Sequence, residues 1–133
     1  MYIYSRTAVA APGKAVAAMA FAVEAAARIT KITGIPVSTY RANFGMPLGS
    51  ILWSTRYDSH AQMADAQAKW TSDASMTAFT ATAVDLFQPT LSDGLTEIVA
   101  TTMAGPAAIV SATQATIANG KIAEAMEIGR AHV

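Results

Sequence analysis

The chain opens on an alternating run, Tyr2-Ile3-Tyr4-Ser5-Arg6-Thr7-Ala8-Val9, with the two-residue period of a half-buried strand, and Ala11-Pro12-Gly13 ends it. From Lys14 to Ile32 the period changes. Val16, Met19, Val23 and Ala27, with Thr30 extending the series, recur at helical spacing while Glu24, Arg28 and Lys31 fall largely elsewhere. This predicts an amphipathic helix stopped by Gly34 and Pro36. Val37 to Phe44 and Ser50 to Tyr57 are rich in β-branched and aromatic residues and predict two strands. The glycines and proline of Gly45-Met46-Pro47-Leu48-Gly49 suit a hairpin loop between them.

Ser59 followed by Gln62 has the form of a capping box and opens a helix through about Thr71. Ser72-Asp73 interrupts that helix and can cap a continuation carrying Met76, Phe79, Val84 and Phe87, ended by Pro89. Leu95 to Met103 is strand-like again. The order β-α-β-β-α-β is the split βαβ arrangement: a ferredoxin-like α+β domain over residues 1–104, with an antiparallel sheet and two helices on one face.

Residues 105–133 then begin the opening motif a second time. Ile109 to Thr116 repeats the strand-like run, and Gly120-Lys121-Ile122-Ala123-Glu124-Ala125-Met126 repeats Gly13-Lys14-Ala15-Val16-Ala17-Ala18-Met19. A partial repeat of one strand and one helix cannot bury its own apolar side. An unpaired strand would leave backbone donors and acceptors at a free edge, and Ile122 and Met126 would leave an apolar helix stripe in water. The expectation is that strand 109–116 pairs with a sheet edge, more readily that of a partner subunit, and that helix 120–131 packs on the partner. The chain would then be an obligate homodimer with an exchanged C-terminal segment. The alternative is that the natural chain continues beyond Val133.

Composition narrows the function classes. Nine basic residues balance nine acidic ones and only 14% of residues are charged, so the clustered positive charge that drives nucleic-acid binding is missing. With 53% hydrophobic residues in 133 there is enough apolar material for one core. A weakly charged, Ala- and Met-rich surface points to area covered by a partner. There is no cysteine, which excludes disulfides and thiolate chemistry. Arg6, Lys14 and the apolar stretch behind them imitate a signal peptide, but Lys14 and Glu24 break the run and the pattern recurs at Gly120. No apolar stretch reaches the length needed to span a bilayer. A cytoplasmic protein is expected, without membrane or nucleic-acid partners.

One segment carries a resemblance beyond topology: Gly49-Ser50-Ile51-Leu52-Trp53, Tyr57-Asp58-Ser59, Ala64 to Trp70, then Asp73, Met76 and Phe79. A Trp-bearing strand leads through a polar turn into a helix ending in tryptophan, followed by an acidic residue and an aromatic. This resembles the dimeric α+β-barrel proteins, in particular NIPSNAP-like proteins and the related antibiotic-biosynthesis-monooxygenase group. The Gly13-Lys14 helix start fits the same group. The resemblance covers roughly residues 1–103. It implies two split-βαβ units packed sheet to sheet, as a homodimer or as tandem copies. It also implies small-molecule chemistry: cofactor-free monooxygenases of this superfamily hold a polyphenol with Trp, Asn and Arg groups while oxygen reacts with it. Relatives that degrade haem use a histidine on the second helix, and residues 61–87 contain none.

Candidate chemistry is otherwise sparse. His60 and His132 are the only histidines and do not make up a metal site, which needs three or four converging ligands. His60 falls at a helix start, where a solvated residue is the ordinary outcome, although an unperturbed imidazole would suit proton transfer. No phosphate loop or nucleophile elbow is present. What remains are aromatic and basic groups on the strands: Tyr2, Tyr4 and Arg6 share one face of the first strand, Tyr40 lies on the second, and Trp53, Thr55 and Tyr57 share a face of the third. The ligand-binding candidates are Tyr40, Asn43, Trp53, Tyr57, Arg56 and His60. They point to a small aromatic ligand; the resemblance implies, in the sharper form, a cofactor-independent oxygenase acting on an aromatic or polyketide-like compound. No cofactor and no metal are expected. The competing class is a non-catalytic homo-oligomeric module whose aromatics fill the subunit interface. For the repeated segment, deleting residues 106–133 and measuring mass in solution is decisive: the expected outcome is loss of the stable dimer, and an unchanged dimer of unchanged stability overturns the exchange.

Overall fold

The computed structural model describes residues 1–99 and 116–131. The chain divides into two compact units, Met1–Glu97 and Ile98–Val133. In the first, β1 (Tyr2–Ala10), α1 (Ala15–Thr33), β2 (Val37–Arg41), β3 (Ser50–Tyr57), α2 (His60–Ser72), α3 (Ala74–Thr80) and β4 (Phe87–Glu97) follow in order. The strands form one sheet, β2-β3-β1-β4, with every neighbouring pair antiparallel. This is the ferredoxin-like α+β arrangement that the β-α-β-β-α-β pattern predicts.

Local chemistry sets most of the boundaries. The Ser59 hydroxyl caps α2 by accepting from the Gln62 backbone N–H at 3.1 Å, while Gln62 Oε1 returns one residue further than a capping box requires, accepting from the Asp58 N–H at 2.6 Å. Asp73 caps α3 by accepting from the Met76 N–H at 2.8 Å. In the second unit, α4 (Ile122–Ala131) begins as α1 does. The Lys14 N–H donates to the Ala11 carbonyl across Gly13 (φ 74°), and the Lys121 N–H donates to the Ala118 carbonyl across Gly120 (φ 79°). That left-handed turn position is open to glycine at little cost. Residues 109–115 of the strand expected before α4, and the expected domain boundary at residue 104, lie outside the described residues.

Two expected elements move. The second strand ends at Arg41 rather than Phe44: the Ala42 N–H donates the last ladder bond, to the Ser50 carbonyl, and the chain then turns through the Gly45-Met46-Pro47 loop. The larger correction concerns the last strand, expected over 95–103 and found at Phe87–Glu97. The helix does not continue to Pro89. It stops at Thr80, passes through a single 3-10 turn (Ala81–Ala83), and Phe87 opens the strand. Pro89 is tolerated because β4 is an edge strand, and its register against β1 shifts between the pairs Ala8↔Leu91 and Ala10↔Phe87, which bracket it.

The helix stripe is also rotated from its expected position. Val16 and Val23 are 87% and 55% exposed, whereas Ala18 and Ala22 are fully covered and Ala25 and Ala26 nearly so. The Val-Met spacing is a true helical period, but the smaller residues face the sheet. Ala18 and Ala22 pack with Ala10 and Ile51, flanked by Met19, Trp53, Leu86 and Phe87. With no side chain beyond Cβ, α1 lies close on the strands. The Trp53 indole N–H reaches the Ala22 carbonyl at 3.0 Å. An Ala22→Leu substitution should therefore overpack this contact and cost about 1–3 kcal/mol, while Val16→Ser should stay within about 0.5 kcal/mol. Urea midpoints of the two variants check the rotation.

Candidate functional site

Strand alternation and register place the site. Successive cross-strand pairs bring Trp53 on β3, Arg6 on β1 and Asp93 on β4 onto one rung, and Thr55, Tyr4 and Leu95 onto the next. The Trp53 bond to Ala22 fixes this as the helix-covered face. Between it and the helices is a cavity of about 270 Å³. Phe21, Ala25 and Ile29 of α1 form one wall, Trp53, Thr55 and Tyr57 with Tyr4 and Arg6 the floor, and Trp70, Met76 and Phe87 the far side. The aromatics brace one another: Phe21 stacks on Phe79 with centroids 4.5 Å apart, and Phe87 meets Phe21 and Trp53 at 5.8 and 5.9 Å. The Arg28 guanidinium lies 4.3 Å from the Phe79 ring centroid.

Polar groups are few and concentrated. Arg6 grips Asp93 with a fork of two bonds, Nε to Oδ1 and Nη2 to Oδ2, both 2.7 Å. These bonds hold the Asp93 carboxyl below the usual carboxylate range. Burial pushes the Tyr4 phenol up, as it does that of Tyr57, so both hydroxyls are kept as donors. Tyr4 stands one rung from this pair on the same face and borders the same cavity. Because the Trp53 N–H is committed to Ala22, the indole offers a ligand only its face. Among the described residues no three His, Asp or Glu side chains converge as metal ligands, and no helix is long and apolar enough to cross a membrane.

Of the six candidates read from the sequence, Trp53 and Tyr57 line this cavity and the other four do not. Tyr40 pairs with Leu52 and Arg56 with Ile3, which alternation puts on the opposite face of the sheet. Asn43 is exposed in the loop after β2. His60 is exposed at the first turn of α2, its ring stacked on Tyr2 at 4.2 Å. The sequence reading that put the strand aromatics in a subunit interface is corrected for Trp53 and Tyr57, which their own helices cover. Asp93 was missed because residues 87–94 were not read as strand; the alternation of Phe87, Leu91 and Leu95 with polar neighbours was the available signal.

Solved structures of similar shape supply the comparison. An uncharacterized NIPSNAP domain protein from Burkholderia xenovorans matches with a TM-score of 0.63 at 18% identity, covering 84% of this chain and all of its own (100%). A NIPSNAP family protein from Agrobacterium tumefaciens gives 0.62 at 18% identity, with 72% and 90% covered. SnoaB from Streptomyces nogalater, a cofactor-independent oxygenase, gives 0.57 at 14% identity, with 76% and 95% covered. The likeness is one of fold: these structures share the ferredoxin-like α+β fold of this chain. No family model and no curated protein matches the chain. The resemblance read around Trp53 thus holds at the level of fold.

The Arg6–Asp93 pair makes a pH-dependent contribution of predictable sign. Asp93 has a folded pKa below its ordinary 3.8, so its contribution is present above that value and lost as pH falls through the folded one. The two side chains are 35% and 44% exposed, which limits the pair to about 1 kcal/mol. Asp93→Asn should lower unfolding stability by up to that amount at pH 7, and the difference from wild type should close below the ordinary carboxylate range. Urea unfolding at both pH values measures it.

Proposed function

We propose that this protein handles a small planar aromatic molecule in the cavity between α1, α3 and the sheet, and that it acts as a cofactor-independent oxygenase on an aromatic or polyketide-like compound. The observation that carries the reading is the cavity itself: apolar and aromatic walls around a small set of converging donors are the usual form of a ligand site. Its volume lies just below the usual range of about 300–1,000 Å³, which favours a compound of two or three fused rings over a larger one. The face of Trp53 supplies a stacking surface, and Arg6 and Tyr4 supply donors for a ring oxygen.

Among the described lining residues none is a carboxylate or an imidazole, so an electron-rich ligand has to bring its own reactivity. The balanced reaction converts a ring methylene flanked by phenolic rings into a carbonyl. One oxygen atom enters the product, and the electrons of the two C–H bonds reduce the other to water. Catalysis then consists of excluding water and holding the ring and oxygen in register. The fold of SnoaB supports this assignment as a precedent of shape. Two copies are proposed to associate through the outer sheet face that carries Tyr40, Leu52 and Arg56, with His60 and Asn43 outside the cavity.

Both tryptophans of the chain, Trp53 and Trp70, line the cavity, so intrinsic fluorescence reads occupancy directly. Titration with anthrone under argon should quench it. Admission of air should then give oxygen uptake above the buffer rate, and Trp53→Phe should cut that acceleration about tenfold or more. Quenching without accelerated uptake would leave a binding protein and defeat the oxygenase assignment.

A further inference from the structure

The polar corner of the cavity has a charge arrangement that selects among aromatic ligands, a step that rests on the cavity being a ligand site. Arg6 is the one charged side chain lining the cavity among the described residues, and by residue type alone it would invite an anion. Its geometry says otherwise. Two of its five N–H donors already go to Asp93 in a fork with both bonds at 2.7 Å. The carboxylate that receives them is directly opposite on the adjacent strand, Arg6↔Asp93, so the backbone register holds the pair together. Tyr4, one rung along on the same face, borders the same cavity. The cavity therefore presents the remaining guanidinium donors and a phenol, with the charge of Arg6 offset by the carboxylate it holds outside the lining.

A ligand carboxylate has no good place in this arrangement. To pair with Arg6 it must either displace Asp93, which leaves that carboxylate without its partner, or share the guanidinium with it and set two negative charges side by side. An uncharged hydroxyl or ketone meets neither penalty. Its oxygen accepts from the free Arg6 donors, and a hydroxyl hydrogen can be given to the Tyr4 oxygen.

We infer that the Arg6–Asp93 pair is a specificity element: it admits planar aromatics bearing neutral hydroxyl or carbonyl oxygens and turns away aromatic carboxylates of the same ring size. Asp93 acts here as a positioning residue, through the charge it places on Arg6, rather than as a group that takes part in chemistry.

Three ring-matched probes at pH 7 test this by tryptophan fluorescence: naphthalene, 2-naphthol and 2-naphthoate. Wild type should bind naphthol about tenfold or more tighter than naphthoate, with naphthalene binding measurably. Any apolar cavity penalises a carboxylate to some degree, so the deciding measurement is the ratio in Asp93→Asn. Removing the competing charge frees Arg6, and the naphthol preference should shrink about tenfold or reverse, while naphthalene affinity stays put. Arg6→Lys, which keeps the charge and loses the fork, should weaken naphthol binding. A naphthol preference that survives Asp93→Asn unchanged would assign it to the apolar walls and overturn the inference. Naphthoate binding wild type as tightly as naphthol would overturn it too, and naphthalene binding would still uphold the cavity as a ligand site. Failure of all three probes to quench would defeat the ligand site and this inference together.

Discussion

The structure depends on how closely α1 can approach the sheet. A helix whose sheet-facing positions carry leucine or valine sits at ordinary layer distance and leaves strand side chains to pack against its branches. Here those positions are Ala18 and Ala22, both fully covered, and the Trp53 indole reaches the Ala22 carbonyl. That bond and the Ala10-Ile51 contact pin one part of the helix. Beside this contact, Phe21, Ala25 and Ile29 of the same helix border the cavity. The same helix thus accepts a hydrogen bond from the sheet and forms a wall of the cavity.

Closing the far side falls to aromatic stacking. α3 is only seven residues long, too short to be stable by propensity alone. It is held by its Asp73 cap and by Phe79, which stacks on Phe21 and meets Arg28. The chain then needs the shortest route to the sheet edge, which explains why the helix gives way before Pro89. Phe87 must reach Phe21 and Trp53, and a helix continued to residue 87 could not also supply the strand that pairs with β1. Local helix propensity across Ala81–Val84 is overridden by two layers of tertiary contact.

Legibility in the sequence follows the range of the interaction. β3, the α2 cap and the α1 span were readable because alternation, a Ser59-Gln62 box and a Gly34 stop are local signals. Trp53 and Tyr57 were readable as ligand-facing types because both stand on a regular strand. Tyr40, Asn43, Arg56 and His60 had the right chemistry but the wrong face or layer. Arg56 alternates with Trp53 and Tyr57 on one strand, so its side was readable, whereas for Tyr40 only the register between strands decides it. The start of β4 was hidden by a proline that usually argues against a strand, and its loss concealed Asp93. The alanine face of α1 was hidden because hydrophobic scales rank valine and methionine above alanine, whereas close packing against a sheet favours the reverse.

Likeness of fold at 14–18% identity carries the backbone but not the chemistry, since one fold hosts many sites. What distinguishes this chain must therefore be read rung by rung on the sheet. The rung holding Trp53, Arg6 and Asp93 combines a stacking face, a forked donor and a compensating charge from three neighbouring strands. The rung with Ile51, Ala8 and Leu91 has no charge on these three strands and serves packing. Because β1 is central and contributes to every rung, a shift of its register by one residue would send Tyr4, Arg6 and Ala8 to the outer face and present Ile3, Ser5 and Thr7 instead. The cavity would then lose its donors and the core its alanines at once. Fold and candidate site are thus specified by the same nine residues of β1, which is why neither can be altered there without the other.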